Sequence, residues 1–202
     1  GNVVRYDLLE TIRQYAREKL IENGEEHTAR ERHLEYFVKL AEDNQSRRKT
    51  ADQKSAFQQM KVELDNFRAA LDWSLEQENK NTVVNGVRIA NALDWSDASE
   101  EGLKWLQKGI AFIPHGIFEF DLLRANSMTN TAPMLINRGE SKAAIETLHE
   151  SIALYRSIPS ADKRGWVTAL FLLSWAIMDS DYARSRVYAR ESVAMARELE
   201  EA

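Results

Sequence analysis

Two stretches of this chain repeat one another 41 residues apart. Glu150-Ser151-Ile152-Ala153-Leu154-Tyr155-Arg156 and Glu191-Ser192-Val193-Ala194-Met195-Ala196-Arg197 carry small, charged or aliphatic residues at matching places, and Gly109-Ile110-Ala111 fits the same frame about one residue out of period. A period of this length marks an array in which each unit is one supersecondary element that cannot bury its apolar face alone. The unit here is a helical hairpin. Second helices are predicted over 99–112, 141–156 and 181–199, with first helices over 82–95, 118–137 and 163–178.

Local chemistry agrees with that frame. Only 8 Gly and 3 Pro punctuate the 202 residues, and the sequence between them is rich in Ala, Leu, Glu, Arg and Lys, which lose least on entering a helix. Gly139-Glu140 and Asp179-Ser180-Asp181 supply turns, and Pro114 stands where the chain should leave the first pair. Small residues stand where helices must approach closely: Ala90, Gly102 and Gly109 in the first pair, Ala132, Ala144 and Ser151 in the second.

Upstream of the repeats, Val3-Val4-Arg5-Tyr6 favours a short strand. Leu8, Leu9, Ile12, Tyr15, Ala16 and Leu20 then recur at helical spacing until Asn23-Gly24. A second helix is predicted from about His27 to Asn44, ended by the polar stretch Gln45 to Asp52. A third runs through Phe57, Met60, Leu64, Phe67, Ala70, Leu71 and Leu75 to near Asn79. The expected fold is all-α, a right-handed superhelix of stacked helical hairpins with about nine helices. Residues 1–80 form an N-terminal helical segment and 81–202 form three degenerate hairpins.

Several function classes are excluded or disfavoured. The absence of Cys removes disulfides, thiol catalysis and cysteine zinc sites, and fits a cytoplasmic location. No apolar run approaches the roughly 20 residues needed to cross a bilayer, so no membrane partner is expected. The net charge of −5 is spread as mixed signs, from which no direct nucleic-acid contact is expected. No Gly is followed by Lys, so a phosphate-cradling loop cannot be assembled and ATP should not bind. His149-Glu150 has Ala153 where a zinc-protease motif needs its second imidazole, and no Ser sits in an elbow motif. Glu25-Glu26 and Glu100-Glu101 read as helix-opening carboxylates. No cofactor, no metal and no enzymatic activity are expected.

The repeats resemble degenerate tetratricopeptide repeats, through the Gly139 turn, the small residues at Ala132, Ala144 and Ser151, Tyr182 after the Asp181 turn, and Pro114. They depart from that consensus in period, and Ser180 stands where a glycine is usual. A second resemblance lies upstream. Arg5-Tyr6-Asp7-Leu8-Leu9-Glu10-Thr11-Ile12-Arg13-Gln14-Tyr15-Ala16-Arg17-Glu18-Lys19-Leu20, Arg32-His33-Leu34-Glu35-Tyr36-Phe37 and Leu64-Asp65-Asn66-Phe67-Arg68-Ala69-Ala70-Leu71-Asp72-Trp73 together resemble a stretch of bacterial STAND-class ATPase regulators, LuxR-type among them. There it joins a nucleotide-binding module and winged helix to a tetratricopeptide sensor. The resemblance implies a non-catalytic segment that binds a protein, a peptide or an inducer and controls an ATPase in the same chain. A free-standing adaptor is the alternative.

Two surfaces are candidates for binding. Asn126, Asn130 and Asn137 fall on one helical face, and Asn in mid-helix asks for a reason, since it is a poor helix former and a good partner for peptide backbone. In a tetratricopeptide frame that face lines a groove with Arg88, Asn91 and Trp95 of the preceding first helix. A merely solvated face is the competing reading. Pro133 should kink or interrupt this helix. The other tryptophans, Trp73, Trp105, Trp166 and Trp175, read as core. The second surface is the first helix of the last hairpin, where Val167, Leu170, Phe171, Ile177 and Met178 cluster on a helix that is apolar nearly all round. Such a helix calls for cover, by further repeats or by a second copy in a homo-oligomer.

Overall fold

A computed structural model of the chain describes residues 9–48, 50–95, 99–114, 116–158 and 163–200. Val3-Val4-Arg5-Tyr6 lies outside them. Among the described residues there are ten helices: α1 (Glu10–Glu22), α2 (Glu26–Arg47), α3 (Gln53–Val62), α4 (Leu64–Ser74), α5 (Lys80–Ala92), α6 (Ser99–Phe112), α7 (Phe118–Asn137), α8 (Ser141–Ser157), α9 (Arg164–Ala176) and α10 (Tyr182–Glu200). The three predicted hairpins are α5–α6, α7–α8 and α9–α10. None of these helices is long and apolar enough to cross a membrane.

Two turns follow directly from glycine. Gly24 and Gly139 adopt φ of 70° and 79°, where a Cβ would be strained. At each, paired amides close the helix end: Gly139 N donates to Ile136 O and Glu140 N to Leu135 O, as Gly24 N and Glu25 N do to Ile21 O and Leu20 O.

Packing is sequential. Helices α2, α5, α7 and α9 contact one another in that order and make one layer, while α4, α6, α8 and α10 lie against them as the second. One continuous core runs from Leu34 to Met195 between the layers. All six small residues picked from the sequence are buried where helices meet. At Gly102 the approach is so close that a Cβ would stand 2.3 Å from Trp95 Cγ. The indole of Trp95 lies over that glycine, tilted against Trp105 at 5.1 Å, with its N–H bonded to Ala90 O.

The structure differs from the sequence reading at three places. The third predicted helix is two, α3 and α4, divided at Glu63 (φ −96°, ψ 7°), whose carboxylate accepts from Asn66 Nδ2 at 2.7 Å. The stripe Met60, Leu64, Phe67, Leu71 keeps helical period across the break, so periodicity did not reveal it. What differs is the neighbours: α3 packs on α2 and against α4, whereas α4 packs on both α2 and α5. Next, α2 runs on to Arg47, whose guanidinium reaches Gln59 and Ser55 of α3. Finally, α7 passes through Pro133 without interruption. One lost backbone bond there is outweighed by the burial of Ala132, Met134 and Leu135 on either side.

Burial also affects a titratable group in the region of the upstream resemblance. His33, beside Phe37 at 4.6 Å, has its pKa lowered from 6.5, first by burial and then by the Arg30 charge. The folded chain therefore binds this proton less readily than the unfolded chain. Above about pH 6.5 both states hold a neutral imidazole and the effect vanishes; below it, protonation favours the unfolded state. The melting temperature should fall as pH drops from 7 toward 5, and His33→Phe should flatten that part of the profile. An unchanged profile in the variant would refute the assignment.

Candidate binding groove

Helices α2, α5, α7 and α9 enclose an open groove of about 520 Å³, walled by Arg88, Asn91, Asn126 and Asn130 among others and reached by Tyr155 from α8. Four of the six residues predicted to line a groove therefore do so. Register explains it: Arg88 and Asn91 are three apart on α5, and Asn126 and Asn130 four apart on α7, so each pair shares a face.

The asparagines bind each other and the fold as well as facing the groove. Asn130 Nδ2 donates to Asn91 Oδ1 at 2.9 Å, and Asn91 Nδ2 donates to Ser127 Oγ at 2.8 Å, which ties α5 to α7. Deeper, the Tyr155 hydroxyl donates to Asn126 Oδ1 at 2.7 Å. Below that pair, Thr129 and Ser151 hydroxyls lie 2.8 Å apart, and each reaches Ala125 O. The solvated-face reading of the stripe is thereby replaced by a half-buried hydrogen-bonded floor. Arg88 is fixed at the rim by Glu42, Nη2 to Oε1 at 2.7 Å. With both side chains over two-fifths exposed, that pair positions the guanidinium more than it stabilises the chain.

Gly165 at the start of α9 lets this floor close. A Cβ there would lie 2.3 Å from the Tyr155 hydroxyl and 2.6 Å from Asn126 Oδ1. Neither Gly165 nor Tyr155 was picked from the sequence as a site residue. A signal existed for Tyr155: its counterpart in the later repeat is Ala196, so a large polar aromatic stands where the frame holds a small residue.

The two remaining groove candidates lie elsewhere. Trp95 is 5% exposed in the core, because the chain turns back after Leu93 and lays the indole on Gly102. Asn137 is exposed at the end of α7, eleven residues from Asn126 and thus about 16 Å along the axis. On α9 Leu170 is buried and Val167 half-buried, and Ile177 just past its end is buried, since α10 covers that side through Ser185 and Ser192, which donate to Ser174 O and Val167 O. Phe171, Trp175 and Met178 stay exposed, at 59%, 51% and 44%. They continue down α9 from the groove residues Arg164 and Thr168 at helical spacing.

The fold and groove define an all-helical protein of paired, sequentially packed helices with an amide-lined concavity. Three curated relatives are similar to it: proteins provisionally named HTH-type transcriptional regulators, one from Mycobacterium bovis and two from strains of Mycobacterium tuberculosis. Each is 35% identical over 111 residues, covering 50% of this chain and 11% of the relative. The chain thus spans about 11% of the length of these relatives. No family model matches the chain, and no solved structure matches it.

These names correct one expectation. Helix-turn-helix regulators are a DNA-contacting class, so the inference of no direct nucleic-acid contact does not stand. Net charge averages over the whole chain and hides local clustering. Within 47–61 the sequence carries Arg47, Arg48, Lys49, Lys54 and Lys61 against the single carboxylate of Asp52, a basic stretch inside an acidic chain.

Proposed function

We propose that this chain is a non-catalytic, tetratricopeptide-like sensing segment of a multidomain STAND-type transcriptional regulator, working in the cytoplasm and taking an extended peptide or protein segment in the α2–α5–α7–α9 groove. The observation that carries the reading is the Asn91–Asn130 and Asn126–Tyr155 floor. Carboxamides offer both donor and acceptor at fixed positions, which suits a peptide backbone whose amide and carbonyl alternate. Asn126 has its carbonyl oxygen engaged by Tyr155, which orients its Nδ2 as a donor toward a ligand carbonyl. Leu123, Phe120 and Val84 beside the amides give apolar side chains a place to settle. The regulatory part of the proposal is supported by the relatives' names and by the three upstream motifs.

The test is selection of binders from a randomised linear peptide library, followed by calorimetry of the best peptide against Asn130→Ala and Arg88→Ala. Asn130→Ala also breaks the tie to Asn91, so a stability loss of about 0.5–1.5 kcal/mol is expected with it, and binding should fall tenfold or more. Arg88→Ala should weaken binding with little change in melting. A library that yields no binder, or peptides held equally by both variants, would sink the proposal.

A further inference from the structure

A second concavity lies outside the groove, between α3, α4 and the residues that follow α5. Its volume is about 710 Å³, within the range of about 300–1,000 Å³ usual for small-molecule sites. Six residues of α3 line it: Gln53, Lys54, Phe57, Gln58, Met60 and Lys61. Of these, Lys54, Phe57, Gln58 and Lys61 stand at i, i+3, i+4 and i+7, one stripe of the helix, while Met60, 6% exposed, closes the cleft from the core side. The inner wall is apolar, made by Met60, Leu64, Leu93 and Trp95, and Phe57 stands at the mouth 38% exposed.

Charge at this site is one-sided. Arg68 is held by Glu101 at 2.8 Å and Asp65 at 2.9 Å, and Arg48 packs over the Phe57 ring at 5.7 Å while its guanidinium donates to Ala92 O. Among the described residues the one lining carboxylate is Asp94, which acts electrostatically on Arg48. Lys54 and Lys61 form no ion pair with any described residue. They sit two turns apart, about 10 Å along the axis, on opposite sides of Phe57.

We propose that this cleft binds a small amphiphilic anion: an acyl chain lying against Met60, Leu64, Leu93 and Trp95, with a carboxylate or phosphate head between Lys54 and Lys61. An apolar wall beneath two uncompensated ammonium groups is complementary to that chemistry. A nucleic-acid strand would need a row of cations along its phosphates and stacking faces along its bases. Two lysines around one phenylalanine above a closed apolar wall do not supply it. The site is separate from the groove and stands without the peptide reading.

The experiment is calorimetric titration of the chain with dodecyl phosphate and dodecanoate below their micellar concentrations. Expected are saturable one-to-one binding that weakens with added salt, and a loss of tenfold or more in Lys54→Gln/Lys61→Gln and in Phe57→Ser. Both variants change exposed side chains, so circular dichroism should be unaltered, and Lys104→Gln should bind as the parent does. Equal binding of dodecyltrimethylammonium or of inorganic phosphate alone would overturn the proposal. So would unchanged affinity in the lysine variant, or tighter lysine-dependent capture of a single-stranded oligonucleotide or of phosphatidylglycerol vesicles.

Discussion

Replacing Phe67 by Ala will cost about 3–5 kcal/mol of folding stability. Phe67 is wholly buried on α4 and meets Phe37 of α2 edge to face at 5.1 Å. Truncation removes the transfer free energy of the ring, leaves a cavity between helices that cannot collapse freely, and deletes an aromatic pair that adds about 0.5–1.5 kcal/mol beyond area. With a urea slope of about 1–3 kcal/mol/M, the unfolding midpoint should move down by on the order of 2 M. A loss under about 1 kcal/mol would show that α2 and α4 repack, and would contradict a close-packed core at Phe67.

The second large effect is expected at Gly165. A valine there places its Cβ inside the contact distance of Tyr155 and Asn126, and the pair must separate. Overpacking of this kind costs about 1–3 kcal/mol, and loss of the 2.7 Å bond between them adds about 0.5–1.5 kcal/mol. The better helix propensity of valine offsets only a few tenths of that. Because the floor of the groove moves, affinity for a groove-selected peptide should drop tenfold or more at temperatures where the variant remains folded. A double-mutant cycle isolates the cause: Tyr155→Phe removes the atom 2.3 Å from the new Cβ, so it should cost less in the Gly165→Ala background than in the parent. Strict additivity would mean that Gly165 is required by some other contact, and the close-approach account would be withdrawn.

Much of this was legible in the sequence. Helix existence followed from period and composition, which are local properties: the six repeat helices lie within a few residues of their predicted ranges, from Lys80–Ala92 to Tyr182–Glu200. Close approach was legible too, because a small residue in an apolar stripe leaves only one economical use, as Ala144 and Ser151 show by their complete burial. Part of the groove was legible because Arg88, Asn91, Asn126 and Asn130 lie on first helices whose faces the register sets. Trp95 misled for the opposite reason. It follows the end of α5, where no helical period constrains the side chain, and the glycine that receives it is Gly102 of the next helix.

What the sequence by itself determined is therefore the six repeat helices, their hairpin pairing and six of the positions of close approach, since these depend on propensity, turn chemistry and side-chain volume along one segment at a time. Tertiary structure alone decided which helices flank one another beyond the pairs, and with that the division of one periodic stripe into α3 and α4. It also decided that Tyr155 and Gly165 meet over Asn126, and that Lys54 and Lys61 stand over an apolar wall contributed partly by Leu93 and Trp95, more than thirty residues away. Each of these joins side chains from segments whose separation in sequence leaves no periodic trace, and only the relative placement of packed helices brings their atoms within bonding distance.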